Sequence, residues 1–157
     1  MLRSVLSAVV RRLPVATVQA HCDGPCGVYD PASARIAAEA VLSMTKKLLA
    51  MESPVGADAA ALAAYSNTFS RYVAIKEEQA KETKKELLIL WTDYFKPDHL
   101  ATFPDLHDTF WKATKLCSAC KVSVDQTKAE ELMVAVEKIH HMFWQSKKRS
   151  DAWVTAS

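Results

Sequence analysis

Apolar residues recur at steps of three and four in four separate blocks, and the breaks between blocks carry residues that start and stop helices. In the first block Ala37, Val41, Met44, Leu48 and Met51 share a face; Asp30 is placed to cap the helix, Pro31 suits its first turn, and ESPVGAD (52–58) ends it. The second block starts near Asp58, runs through Leu62, Tyr65, Phe69 and Tyr72, and resumes with Leu87, Leu90, Trp91 and Tyr94 until Pro97 stops it. Between the two stretches the same face carries Lys76, Gln79 and Thr83, inside the polar run KEEQAKETKKE (76–86). This run reads as a solvated face with Lys/Glu pairs at helical spacing; the alternative is a place where the helix passes something polar. Pro104-Asp105 opens a third helix with Leu106, Phe110, Ala113 and Cys117 on one face, and Asp125 caps a fourth with Leu132, Val136, Ile139 and Phe143.

Four such helices with short connections predict an all-α protein, an antiparallel four-helix bundle over 32–148. The length of 157 residues suits one domain, and three glycines and six prolines favour helix over a turn-rich sheet. The tail KKRSDAWVTAS has no period and is expected to be a loose or interface-bound end, with 149–157 outside the bundle.

Charge changes the picture only at the start of the chain. The formal net charge is +2, and the first twenty residues contain Arg3, Arg11 and Arg12 with no acid, which leaves the remainder at −1. Basic and acidic residues are interspersed there, so no electrostatic footprint for nucleic acid exists. No run of about eighteen apolar residues is present, and a soluble protein without a membrane span is expected. Residues 1–20, MLRSVLSAVVRRLPVATVQA, form an acid-free unit that reads as a cleaved leader; Arg11-Arg12 interrupts its apolar stretch too early for a good secretory signal, so a pro-segment or organellar transit peptide fits better. A cytoplasmic protein is expected, or an organellar one if the leader is a transit peptide.

The densest chemistry follows that leader. HCDGPCGVYDP (21–31) puts His21, Cys22, Asp23 and Cys26 within six positions. With the leader attached, His21 and the two cysteines could join an outside ligand on zinc, the usual fate of such a set. Cleavage after Ala20 changes the donors. The freed α-amine of His21 and the backbone nitrogen of Cys22 close one five-membered chelate ring, and the same nitrogen with the Cys22 sulfur closes a second. The Cys26 sulfur takes the fourth position if the chain doubles back over Asp23-Gly24-Pro25, and the His21 imidazole can reach an axial position. Two nitrogens and two sulfurs in a plane suit Ni(II) or Cu(II), whereas zinc prefers a tetrahedron. Amide and thiolate donors also bring the Ni(III)/Ni(II) couple into reach.

This stretch resembles the nickel hook of nickel-containing superoxide dismutases, His-Cys-x-x-Pro-Cys-Gly-x-Tyr, and every fixed position is present. The resemblance extends through the helical pattern and LWTDYFKP (90–97) to about residue 148. It implies a superoxide dismutase that cycles nickel between Ni(III) and Ni(II), one ion per subunit, and a homohexamer of four-helix bundles made as a precursor that a peptidase clips. It assigns the metal to His21, Cys22 and Cys26 within a hook of residues 21–31, with Tyr29 over the open face of the metal and Tyr94 and Lys96 supporting the site. Ungapped comparison puts Ala37 and Gln79 where family members commonly carry a glutamate and an arginine that orient the axial imidazole; Gln79 has no charge to replace the arginine. The alternative function is a non-catalytic nickel- or copper-binding helical bundle.

Other candidates read as structure. Cys117 and Cys120 have redox-motif spacing but lie on the apolar stripe of the third helix, where buried small residues are expected. His140 and His141 read as a core or interface histidine beside a surface one, and Asp30 as a helix cap. Trp91/Tyr94/Phe95, Phe110/Trp111 and Phe143/Trp144 read as core or subunit contacts.

Overall fold

A computed structural model describes residues 27–156. The leader and the predicted metal ligands His21, Cys22 and Cys26 lie outside the described residues. Those that are described form α1 (Ala32–Leu49), α2 (Ala59–Ile89), α3 (Leu106–Val122) and α4 (Gln126–Ser146), with no strand among them. Each helix packs on its neighbours in sequence, and α1 also packs on α4, which closes a four-helix ring.

The pairing is antiparallel. Trp91 at the end of α2 stacks on Phe110 near the start of α3, at 5.8 Å and 10° between planes, while Lys76, earlier in α2, meets the carbonyls at the end of α3. The predicted stripes fill the core: Val41, Leu87, Leu106, Phe110, Ala113, Leu132, Val136, Ile139 and Phe143 are all buried. Burying one such large apolar side chain stabilises by roughly 1.5–3 kcal/mol. Asp58 caps α2 by accepting the Ala61 N–H at 2.8 Å, and Asp125 caps α4 by accepting the Lys128 N–H. Asp105 instead gives its carboxylate to Thr109 and Lys138.

The polar run of α2 departs from the expected solvated face. Lys76, Ala80 and Thr83 are buried, and Lys76 is only 1% exposed. Its ammonium donates to the carbonyls of Cys120, Lys121 and Ser123. The last carbonyls of a helix have no partner within it and carry the negative end of its dipole, so a lysine from the neighbouring helix satisfies them. The sequence alternative, a helix passing something polar, is the one observed. N-terminal to Lys76 the apolar stripe is less enclosed: Tyr65 and Tyr72 are half-buried, and Leu62 and Phe69 are exposed.

The second helix also stops short of Pro97. Its α-helical part ends at Ile89, and Leu90–Tyr94 form a widened π turn in which the Phe95 N–H reaches the Leu90 carbonyl at 3.0 Å. A short 3-10 turn, Pro97–Ala101, follows.

The tail is tied down within the subunit rather than loose. The chain turns at Lys148, which has a φ of 56°; the Asp151 carbonyl accepts from His140 Nε2 at 3.2 Å, and the Ala156 N–H donates to Glu39 Oε1 at 2.6 Å. Trp153 packs on the His140 ring with centroids 5.4 Å apart.

Candidate metal-site entrance

The loop that follows Cys26 is anchored where it enters α1. Gly27 has a φ of 65°, a left-handed conformation that side-chain-bearing residues rarely adopt. Asp30 accepts the Ala32 N–H at 2.8 Å in a turn just ahead of the helix, while the N-cap position itself falls to Pro31, one residue later than expected, which is buried at the helix entry. Tyr29 is thereby held against the bundle, half-buried, with its ring 5.5 Å from that of Tyr94.

Tyr94 arrives from the opposite direction, on the π turn. Its ring lies 4.5 Å from Phe143, 5.0 Å from Phe95 and 5.8 Å from His99, so packing fixes it on several sides. Its hydroxyl is 2.6 Å from Ser146 Oγ at the end of α4. Lys96 follows on exposed, extended backbone.

Tyr29, Tyr94 and Lys96 line one cavity of about 480 Å³, together with Gly27, Asp93, His99 and Lys147. Two segments far apart in sequence, one with Tyr29 and one with Tyr94 and Lys96, thus meet at one cavity that Gly27, the residue after Cys26, also lines. Lys96 and Lys147 outweigh Asp93, so the wall carries a net positive charge and favours a small anion. Lys147 Nζ stands 5.1 Å from the centre of the Tyr94 ring. His99 Nδ1 accepts the Lys96 N–H at 3.0 Å, which leaves the proton of a neutral ring on Nε2.

His99 and Lys147 are the wall residues that sequence reading missed. A signal for His99 exists, since a side chain three positions after Lys96 can cap the turn that Pro97 starts. Lys147 reads from sequence only as a cation at the end of a helix. A smaller cavity of about 270 Å³ beside Tyr29 is lined by Val28, Asp30, Ser33, Glu86, Ile89 and Leu90. Ala37 is buried and Gln79 half-buried, and neither lines either cavity.

The remaining candidates are structural. Cys117 and Cys120 are buried free thiols. Burial, with Cys120 nearby, pushes Cys117 up to about 12, far from a reactive thiolate. His140 is buried and His141 exposed, in line with the sequence reading. Among the described residues no cluster of three or more His, Cys, Asp or Glu is arranged to hold a metal, and no helix is long and apolar enough to cross a membrane.

Comparison with known proteins bears on the residues just described. The family model for nickel-containing superoxide dismutase matches residues 16–147. Superoxide dismutase [Ni] of Streptomyces seoulensis is 38% identical over 135 residues, covering 86% of this chain and 94% of that protein. The same figures hold for superoxide dismutase [Ni] of Streptomyces coelicolor. The native structure of nickel superoxide dismutase superposes with a TM-score of 0.70 at 37% identity, covering 82% of this chain and 99% of that one. The structure with nickel ligation of the oxidised state gives 0.70 at 38% identity, with the same coverage. The bundle, the loop leading into α1 and the Tyr29/Tyr94/Lys96 wall thus occur in a chain that belongs to the nickel-containing superoxide dismutase family.

Proposed function

We propose that the nickel of this enzyme is held by His21, Cys22 and Cys26 after a peptidase cuts between Ala20 and His21. Membership of the family makes the chain a superoxide dismutase with a nickel cofactor. In the proposed organisation residues 1–20 are removed, 21–31 form the hook, 32–148 the bundle and 149–157 the tail. The donor chemistry fits the ion: the α-amine of His21, the amide nitrogen and thiolate of Cys22 and the thiolate of Cys26 supply two nitrogens and two sulfurs, with the His21 imidazole as a further donor. When bound, nickel supplies the Ni(III)/Ni(II) couple on which disproportionation of superoxide to dioxygen and hydrogen peroxide depends.

The rest falls to the cavity wall. Lys96, with Lys147 beside it, raises the local concentration of the anionic substrate. Tyr29 and Tyr94 narrow the approach and hold water through which the two protons of the peroxide arrive. A narrow approach also protects the thiolates from their own peroxide product. The observation that carries this reading is the convergence of Tyr29, Tyr94 and Lys96 on one cavity immediately after Cys26.

A homohexamer is part of the proposal, and exposed apolar residues outside the bundle core, such as Ile36, Leu49, Leu62 and Phe69, supply surface for it. The cytoplasm is the proposed compartment, or an organelle if residues 1–20 are a transit peptide.

The test is superoxide loss with cleaved, nickel-loaded protein. Losing an outer partner of a metal ligand already costs 10–100-fold, so Cys22→Ser or Cys26→Ser is expected to lower the rate by at least about a hundredfold, with helical circular dichroism unchanged. One extra residue before His21 has a similar effect, because it turns the amine into an amide. Activity retained in the serine variants contradicts thiolate ligation.

A further inference from the structure

The hydroxyl of Tyr94 belongs to a chain of hydrogen bonds with a fixed direction. Ser146 Oγ lies 2.6 Å from the Phe143 carbonyl and 2.6 Å from Tyr94 Oη. A carbonyl only accepts, so Ser146 must donate to Phe143. A serine hydroxyl has one proton, so in its other contact it must accept, and Tyr94 is the donor. Without a proton between them, two oxygens at such a distance would repel. The order is therefore Tyr94 O–H to Ser146, and Ser146 O–H to the carbonyl at the end of α4. Both hydroxyls sit on packed elements: the Tyr94 ring is held by Phe143, Phe95 and His99, and Ser146 is half-buried in the last turn of α4.

We infer that Ser146 is a positioning residue that turns the Tyr94 proton away from the cavity, so that Tyr94 offers the cavity a lone pair only. This rests on the reading of the cavity as the approach to the metal. On the same wall Lys96, Lys147 and His99 Nε2–H can donate, as can the Tyr29 hydroxyl. A water against Tyr94 then donates to the tyrosine and turns its own oxygen toward these donors. Tyr94 thereby orders the water that carries protons and does not itself release one. A substrate anion is not drawn to Tyr94, since no donor points at it from there, and is left to the cationic side.

The experiment is a double-mutant cycle on the cleaved, nickel-loaded enzyme with Ser146→Ala, Tyr94→Phe and the double variant, and Ser146→Thr as the conservative control. Ser146→Ala frees the Tyr94 proton to rotate and is expected to lower kcat/KM about fivefold, the effect of one hydrogen bond misplaced. Ser146→Thr keeps the acceptor and restores the wild-type rate. In the Tyr94→Phe background Ser146→Ala has no further effect, because no phenolic proton remains to be directed. Equal losses in both backgrounds, or a wild-type rate for Ser146→Ala beside a slowed Tyr94→Phe, overturn the role of Ser146 alone. A wild-type rate for Tyr94→Phe overturns the reading of the cavity wall as well. Nickel content and helical circular dichroism, measured on every variant, assign any drop that follows lost metal or lost fold to structure, which also overturns the inference.

Discussion

Lys76 and Lys96 belong to the same stretch of chain, twenty positions apart, and do opposite things. Lys76 is sealed between α2 and α3 with its ammonium on three carbonyls. Burial pulls it below the ordinary lysine range, while Glu77 and Cys120 pull it back. Lys96 stands exposed on the wall of a cavity with Lys147 close by. One lysine is spent on the backbone of its own chain, and the other faces an open cavity. The difference lies in what surrounds each ammonium: helix-end carbonyls fix the first, whereas the second stands exposed on a concave wall from which its field reaches outward.

The comparison is broken most forcefully at the buried end. Lys76→Met keeps the volume but strands helix-end carbonyls in the interior, and is expected to destabilise the fold by about 3 kcal/mol in chemical denaturation. The same change at Lys96 is expected to stay within about 0.5 kcal/mol. Equal losses at the two sites remove the distinction.

A second test uses the thiols beside Lys76. Because the Cys117 pKa is raised to about 12 in the fold from 9.0, its contribution to stability is intact below pH 9 and is lost as pH rises through about 12. Cys117 is therefore expected to contribute a fall of about 1.4 kcal/mol per pH unit within that window, and Cys117→Ala to remove that share while leaving the part due to Cys120, which burial also pushes up. At pH 8, alkylation of folded, metal-free protein is expected at Cys22 and Cys26 and not at Cys117 or Cys120, as peptide mass mapping can check.

The smallest effect is expected at the open end. Lys96→Ala and Lys147→Ala are each expected to lower kcat/KM about threefold at low ionic strength, with the gap closing as salt is added. A salt-independent loss points to a contact role in place of a field.

These contrasts also mark how far the chain could be read beforehand. The stripes of α3 and α4 were legible because Leu106, Phe110, Leu132 and Phe143 keep the helical period without interruption. The proposed hook rests on chelate rings that depend only on neighbours in sequence, and its ligands lie outside the described residues. Lys76 was not legible, since a lysine among glutamates looks solvated unless one knows that the end of another helix lies opposite. The π turn at Leu90–Tyr94 inserts its extra residue without any proline or glycine to signal it. His99 and Lys147 acquire meaning only when the ends of α2 and α4 meet around Tyr94. The tail gave no periodic signal because single contacts, such as Ala156 with Glu39, hold it rather than a repeating face.

That last contact has a practical side. The tail closes against α1, and on the proposed reading the His21 amine freed by cleavage is a metal donor, so neither end of the cleaved chain is a neutral place for an affinity tag or a fluorescent fusion. The turn between α1 and α2 is better suited: Val55 is 91% exposed there, and Gly56 has open space where a side chain would begin. An insertion at that point leaves both ends of the chain as the fold uses them.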